Sequence, residues 1–259
     1  MTRTGAEKKK AAGLGAGGKL LALGKLLRMI AWNPLHALNT RAEEISGEMA
    51  NIDFCLLVGT QRTTKRIHSQ DEYEGPDIQQ YEHHKMFSFP QPQGKGENRS
   101  TGIGIMVRNV IANSMHNIDH DAAKGHIKGR AAAVRLASGV VDYDLGGLYF
   151  PPAGSLRRDK YHEVCTDIVK WFDKHLSKLP QRSVPLFAVD LNQDVPNPRE
   201  ERVDPTVVGQ HATSKSKNGV PHQLMQVMKA HGLCFLNTYH DNTATYYGNW
   251  NNNKSIIDF

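Results

Sequence analysis

VPLFAVDLN, Val184–Asn192, is the stretch on which the fold turns. Six residues with apolar or small side chains lead into Asp190 and Asn192, which reads as a buried strand ending in two polar groups. A carboxylate at the end of a buried strand is costly unless it is paired or holds a cation. On a regular strand, Asp190 and Asn192, two positions apart, project to the same side. Taken alone, Asp-x-Asn is common, and its ordinary role is a turn in which the Asp caps the following loop.

The same form recurs along the chain. Trp32-Asn33 follows an apolar run in KLLRMIAWN, read as a buried strand. Tyr149-Phe150-Pro151-Pro152 follows LGGL, and Ser255-Ile256-Ile257-Asp258 closes KSIIDF. Between these lie IDFCLLVG, STGIGIMVR, GRAAAVRLA, DLGGLYF and LCFLNT, all read as strands. Asn39-Thr40 before Glu43 and Glu44 resembles a helix start, with Ala42, Ile45 and Met49 at helical spacing. Asp159–Leu179 carries Tyr161, Cys165, Ile168, Val169, Phe172 and Leu176 on one helical face and is stopped by Pro180. A shorter helix spans Gln223–His231 and is closed by Gly232. The polar region 60–98 reads as loops and edge structure, and His116, His120 and His126, with Asp119 and Asp121, as a loop that only mimics a metal cluster. Several strand-to-strand steps with few helices predict an α+β fold with much sheet, rather than regular βαβ repeats.

Composition bounds the rest. The chain has 259 residues, 39% hydrophobic and 22% charged, enough for one sizeable core. Its mean hydropathy is −0.51 and it has no long apolar run, which excludes a membrane span. The pI near 9.2 belongs to a tail, for seven of the 32 basic residues fall within residues 1–30, against one acid, Glu7. Residues 1–24 read as a basic, low-complexity tail and 25–259 as the folded domain. Cys55, Cys165 and Cys234 lie far apart among apolar neighbours and are expected as buried free thiols of an intracellular protein.

In order and spacing, the strand-end residues resemble the endonuclease/exonuclease/phosphatase superfamily, and most of all LINE-type retrotransposon endonucleases and craniofacial development protein 2-like sequences. Trp32-Asn33 matches its first strand end. Asp53 to Thr60 matches D-I-x-x-L-Q-E-T, and Tyr149 with Pro151 matches Y-x-P. Asp190 with Asn192 matches G-D-x-N. Asn218, Gly219, Leu224, Gly232, Leu233, Asn237 and Thr238 match the next segment. Thr245, Ser255, Ile257, Asp258 and Phe259 match the last.

The resemblance implies two mixed sheets packed face to face with helices outside, a four-layer α/β/β/α sandwich. It also implies Mg²⁺-dependent phosphodiester hydrolysis of nucleic acid by a monomer. By position, Asp190 would orient or deprotonate the attacking water. Asn33 and Asn192 would fix phosphate, with Asn33 and Asp190 near the metal. Tyr149 would support the phosphate or leaving group, and Asp258 would orient a histidine. Three departures stand out. The family's metal-binding Glu falls on Gly59. The histidine of S-D-H would lie past Phe259, so the last strands are expected to be missing. Val189 replaces a glycine and is expected to crowd the phosphate. These departures point to impaired catalysis, and they keep open an inactive nucleic-acid-binding module. A phosphatase of small phosphodiesters or phosphoinositides is a further alternative.

Overall fold

Alternation in the second strand explains the layering. Phe54, Leu56 and Val58 face one way and Cys55 and Leu57 the other, yet all five are buried, so both faces of their sheet are covered. The computed structural model describes residues 27–34, 37–61, 75–90, 101–193, 195–196, 203–212, 219–239, 246–247 and 254–255. The tail 1–24 and Asp258 lie outside the described residues.

The first sheet contains β1 (Met29–Trp32), β2 (Phe54–Val58), β3 (Asp77–Gln80), β4 (His84–Phe89) and β5 (Ile103–Arg108), in the order β1-β2-β5-β4-β3. The second contains β6 (Asn117–Ala122), β7 (Ala131–Ala137), β8 (Asp142–Tyr149) and β9 (Ser183–Asp190), in that order. Pairing is antiparallel except for β1 with β2 and β8 with β9. Phe54, Leu56, Ile105 and Phe87 of the first sheet meet Val134, Leu136, Leu145 and Ala188 of the second in one apolar core. Helix α1 (Ala37–Glu48) covers the outer face of the first sheet through Ala42 and Ile45. Helices α3 (Arg158–Leu176) and α4 (Gly219–Ala230) cover the second; a one-turn α2 (Asn109–Ala112) follows β5. This is the expected four-layer α+β sandwich.

Each parallel pair is joined by a helix on the outside: α1 between β1 and β2, α3 between β8 and β9. The fold therefore holds two βαβ units that the strand-rich reading did not foresee. The adjacent glycines of β8 let the layers approach. A Cβ on Gly147 would stand 2.9 Å from Ile103 Cγ2 and 3.0 Å from Val58 Cγ1, while one on Gly146 would overlap the Phe187 ring.

Several expectations are corrected. β1 is an edge strand, not a buried one, and Trp32 is 36% exposed. Helix α1 begins before Asn39 and breaks at Arg41 (φ −124°, ψ 19°), so the capping sequence marks a kink. Part of the polar region 60–98 is core: β4 is buried through Met86, Phe87 and Phe89, and its His84 is satisfied by Ser46 Oγ at 3.1 Å and Ile52 O at 3.0 Å. The His116–Asp121 segment is mostly strand β6. Helix α4 starts at Gly219, earlier than expected. LCFLNT forms no strand. It makes a single bridge, Phe235 to Val208, and a 3₁₀ turn at Leu236–Tyr239. In KSIIDF only Lys254–Ser255 is described as strand, paired with Tyr246–Tyr247. Cys55 and Cys165 are buried, but Cys234 is exposed. No described helix is long and apolar enough to cross a membrane.

Candidate active site

Parallel strands end on the same side, so β1 and β2 release Asn33 and Gly59 together, and β8 and β9 release Tyr149 and Asp190. The two pairs belong to different sheets. Asn33 Nδ2 donates to Asp190 Oδ2 at 2.9 Å and ties their ends together. The polar strand-end residues of both parallel pairs converge here.

Asp190 is 2% exposed. Its Oδ1 accepts from the backbone N–H of Asn192 at 3.0 Å. That is an Asx turn, so the ordinary capping role of an Asp at a strand end is real here alongside the bond to Asn33. Asn192 lies past the strand at φ +48° and donates Nδ2 to Phe150 O at 2.8 Å. It does not project parallel to Asp190, contrary to the strand-based expectation, because the chain has already turned. Phe150 N donates to Asp190 O at 2.9 Å, extending the β8–β9 pairing past Tyr149. Tyr149 is buried, with the Arg130 guanidinium carbon 5.7 Å from its ring centroid. The backbone supports this stack, as Tyr149 N donates to Arg130 O at 2.7 Å.

Gly59 has φ +69°, a conformation side chains rarely adopt. A Cβ there would lie 2.9 Å from Asn33 Oδ1 and 3.0 Å from Asn33 Nδ2. The Asn33 amide therefore occupies the space where a side chain at position 59 would begin. Thr60 is buried, and Gln61 turns again at φ +54° with its N–H on Thr101 O at 2.8 Å. Three left-handed residues, Gly59, Gln61 and Asn192, thus surround the strand ends. Such non-glycine conformations cost about 1–3 kcal/mol each and gather at functional sites.

Val189 does not crowd this edge, contrary to expectation. Its side chain packs outward in the core beneath α3.

No protein-family model and no curated protein matches the sequence. Solved structures do. The AP endonuclease LMAP from Leishmania major superposes with a TM-score of 0.50 at 11% identity, over 79% of this chain. The chain has the endonuclease/exonuclease/phosphatase fold. It spans 65% of the Leishmania enzyme, under two thirds of that protein's length. The endonuclease domain of TRAS1, a telomere-specific retrotransposon, aligns at TM-score 0.47 and 16% identity over 90% of this chain and 83% of that one. A humanized zebrafish (D. rerio) TDP2 aligns at 0.39 and 16%, over 64% and 62%.

Within this endonuclease/exonuclease/phosphatase fold, Asn33, Tyr149, Asp190 and Asn192 share one edge, and Gly59 faces Asn33. Arg130 was not expected there. Its signal was weak: a single Arg ahead of an alanine-rich strand. A second cluster also escaped the sequence. His175 of α3 bridges Asp121 Oδ2 at 3.1 Å and Asp144 Oδ2 at 2.9 Å. Asp144 precedes Tyr149 by five positions on β8, about 17 Å along the strand at 3.3–3.4 Å per residue, so this cluster is remote from the strand ends. The alternation Asp142-Tyr143-Asp144 was its available sign, one polar residue at every outward position.

Proposed function

We propose that this chain is an endonuclease-type phosphodiester-processing domain acting on nucleic acid, with a weak hydrolytic step. The observation that supports it is the Asn33–Asp190 bond joining the ends of two sheets, beside Gly59. Magnesium takes oxygen ligands, commonly one or two carboxylates together with substrate phosphate and water. Among the described residues this edge supplies one carboxylate, Asp190, and the neutral carboxamide of Asn33. That set fits the ion at low affinity, when phosphate oxygens join it. The ion would supply charge stabilisation at the phosphate.

The chain's own residues have separable roles. Asp190, aimed by Asn33 and by the turn at Asn192, orients a water and takes its proton. Asn33 holds that carboxylate and faces the phosphate. Asn192 shapes the rim through Phe150. Tyr149, under Arg130, supports the phosphate or the leaving oxygen. By the resemblance alone, Asp258 would fix the tautomer of the S-D-H histidine, which would lie past Phe259. A binding module without turnover is the second reading. It is favoured by the Asn33 amide standing against Gly59, where a metal carboxylate would need room.

Supercoiled-plasmid nicking over a magnesium series tests the proposal. Slow, magnesium-dependent nicking is expected, about 100-fold or more below a nuclease with a full set of charge-stabilising groups. Asp190→Ala is expected to abolish it while leaving duplex binding within a few fold. Nicking that survives Asp190→Ala would overturn the site. Binding with no nicking at any magnesium concentration would establish the second reading.

A further inference from the structure

His126 drew notice in the sequence beside His116 and His120, but the fold gives it other company. It sits in the 3₁₀ turn Gly125–Ile127, beyond the end of β6, and faces α3. Its Nε2 lies 3.1 Å from Asp167 Oδ2 and 3.9 Å from Glu163 Oε1. One ligand atom from each of the three residues falls within 4.8 Å of the others, the one such group of three or more among the described residues.

We propose that His126, Glu163 and Asp167 form a binding site for a borderline divalent cation, Zn²⁺, separate from the strand-end site. Zinc holds nitrogen and oxygen donors at about 2.0–2.2 Å in a tetrahedron, which sets them about 3.3 Å apart. The 3.1 Å separation already meets that spacing, and the 3.9 Å one needs only a small rotation of an exposed glutamate. The donor set is balanced: a neutral imidazole and two carboxylates offset a divalent charge, and three protein ligands leave one position for water.

The local charge pattern favours a cation. Glu163 and Asp167 are four positions apart on one helix face, where like charges repel. Lys160 offsets Glu163 at 3.2 Å and Lys170 offsets Asp167 at 3.3 Å. Both lysines are well exposed, and such pairs contribute little, so a divalent ion displaces them readily. The turn that carries His126 is also fixed: Ile127 is buried in the core, and Lys128 N and Arg130 N close it on Gly125 O and Ile127 O, each at 3.1 Å. A bound ion would brace to α3 the same turn that delivers Arg130 to Tyr149.

Isothermal titration of the chelator-stripped full chain with zinc chloride tests this, with visible absorption of cobalt as a second readout. The wild type is expected to bind one zinc ion that His126→Ala and Glu163→Gln/Asp167→Asn each weaken by at least about 10-fold. Cobalt should give a tetrahedral spectrum in the wild type alone. Asp190→Ala should leave zinc binding unchanged, which separates this site from the strand-end one. Equal stoichiometry and affinity in the wild type and His126→Ala would overturn the proposal, as would the absence of binding to the wild type. These side chains are surface groups, so unchanged melting of the metal-free variants confirms that the fold is intact.

Discussion

His175 is held on both sides by carboxylates and stacks on Trp171 with ring centroids 5.0 Å apart. Burial alone would drive its proton off. The hydrogen bonds that His175 donates to Asp121 and Asp144, with the charges of those carboxylates, outweigh burial and raise its pKa from 6.5 to about 9. The bond to His175 in turn lowers the pKa of Asp121. Because the folded pKa of His175 is the higher one, its contribution to stability is complete below pH 6.5 and is lost as pH rises through about 9. Urea midpoints taken between pH 6 and 10 should therefore fall more steeply in the wild type than in His175→Gln. Equal slopes would show that the imidazolium contributes nothing. This cluster left only the Asp142–Asp144 alternation as its sign in the sequence, and the left-handed turn at Gln61 left none. Gln carries no marker of positive φ as glycine does, Asn192 is of a type that enters that region more readily, and the partners of His175 come from two strands distant in sequence.

At the scale of elements, β1 illustrates how an edge strand is fastened. Asp53, just ahead of β2, accepts from Arg28 N at 2.9 Å and from the Arg108 guanidinium at 3.1 Å. Its own N–H donates to Arg28 O at 2.8 Å. One mostly buried carboxylate thus joins β1, β2 and β5 at the end opposite Asn33. Asp53→Ala leaves these donors without their acceptor, at a cost of about 1–3 kcal/mol. Hydrogen exchange should show the loss concentrated in the amides of Met29–Trp32; uniform weakening of all strands would contradict this role. Legibility also varied element by element. β2, β5, β7 and α3 were plain, because burial on both faces or a single apolar stripe leaves an unmixed pattern. β6 was hidden, because NIDHDA exposes polar groups on an edge and so has the composition of a loop. β4 was hidden by His84, whose burial depends on partners distant in sequence. LCFLNT failed in the opposite sense. Thr238 Oγ1 donates to Phe235 O and accepts from Gly209 N, and that local bonding curls an apolar run into a turn.

For the molecule as a whole, the spacing of the two sheets rests on Gly147 of β8, which faces the first sheet. Gly147→Val would push a branched side chain into Ile103 and Val58 across the interface. Overpacking of that kind costs about 1–3 kcal/mol. Thermal unfolding should show a lower midpoint, and Gly147→Ala should fall between; a midpoint equal to the wild type would mean the sheets are free to move apart. The layered architecture was legible because strand ends recur in a fixed order, and so were the strand-end positions of Asn33, Tyr149 and Asp190. Their union across two sheets was not, since no local pattern encodes a contact between residues 157 positions apart. That separation also has a kinetic meaning. Asn33 and Asp190 can meet only after both βαβ units have formed and docked, so their bond belongs to the last stage of folding rather than to its nucleus. Losing it would hasten unfolding and leave the refolding rate nearly unchanged, and the strand-end site would be the first part of the molecule to come apart.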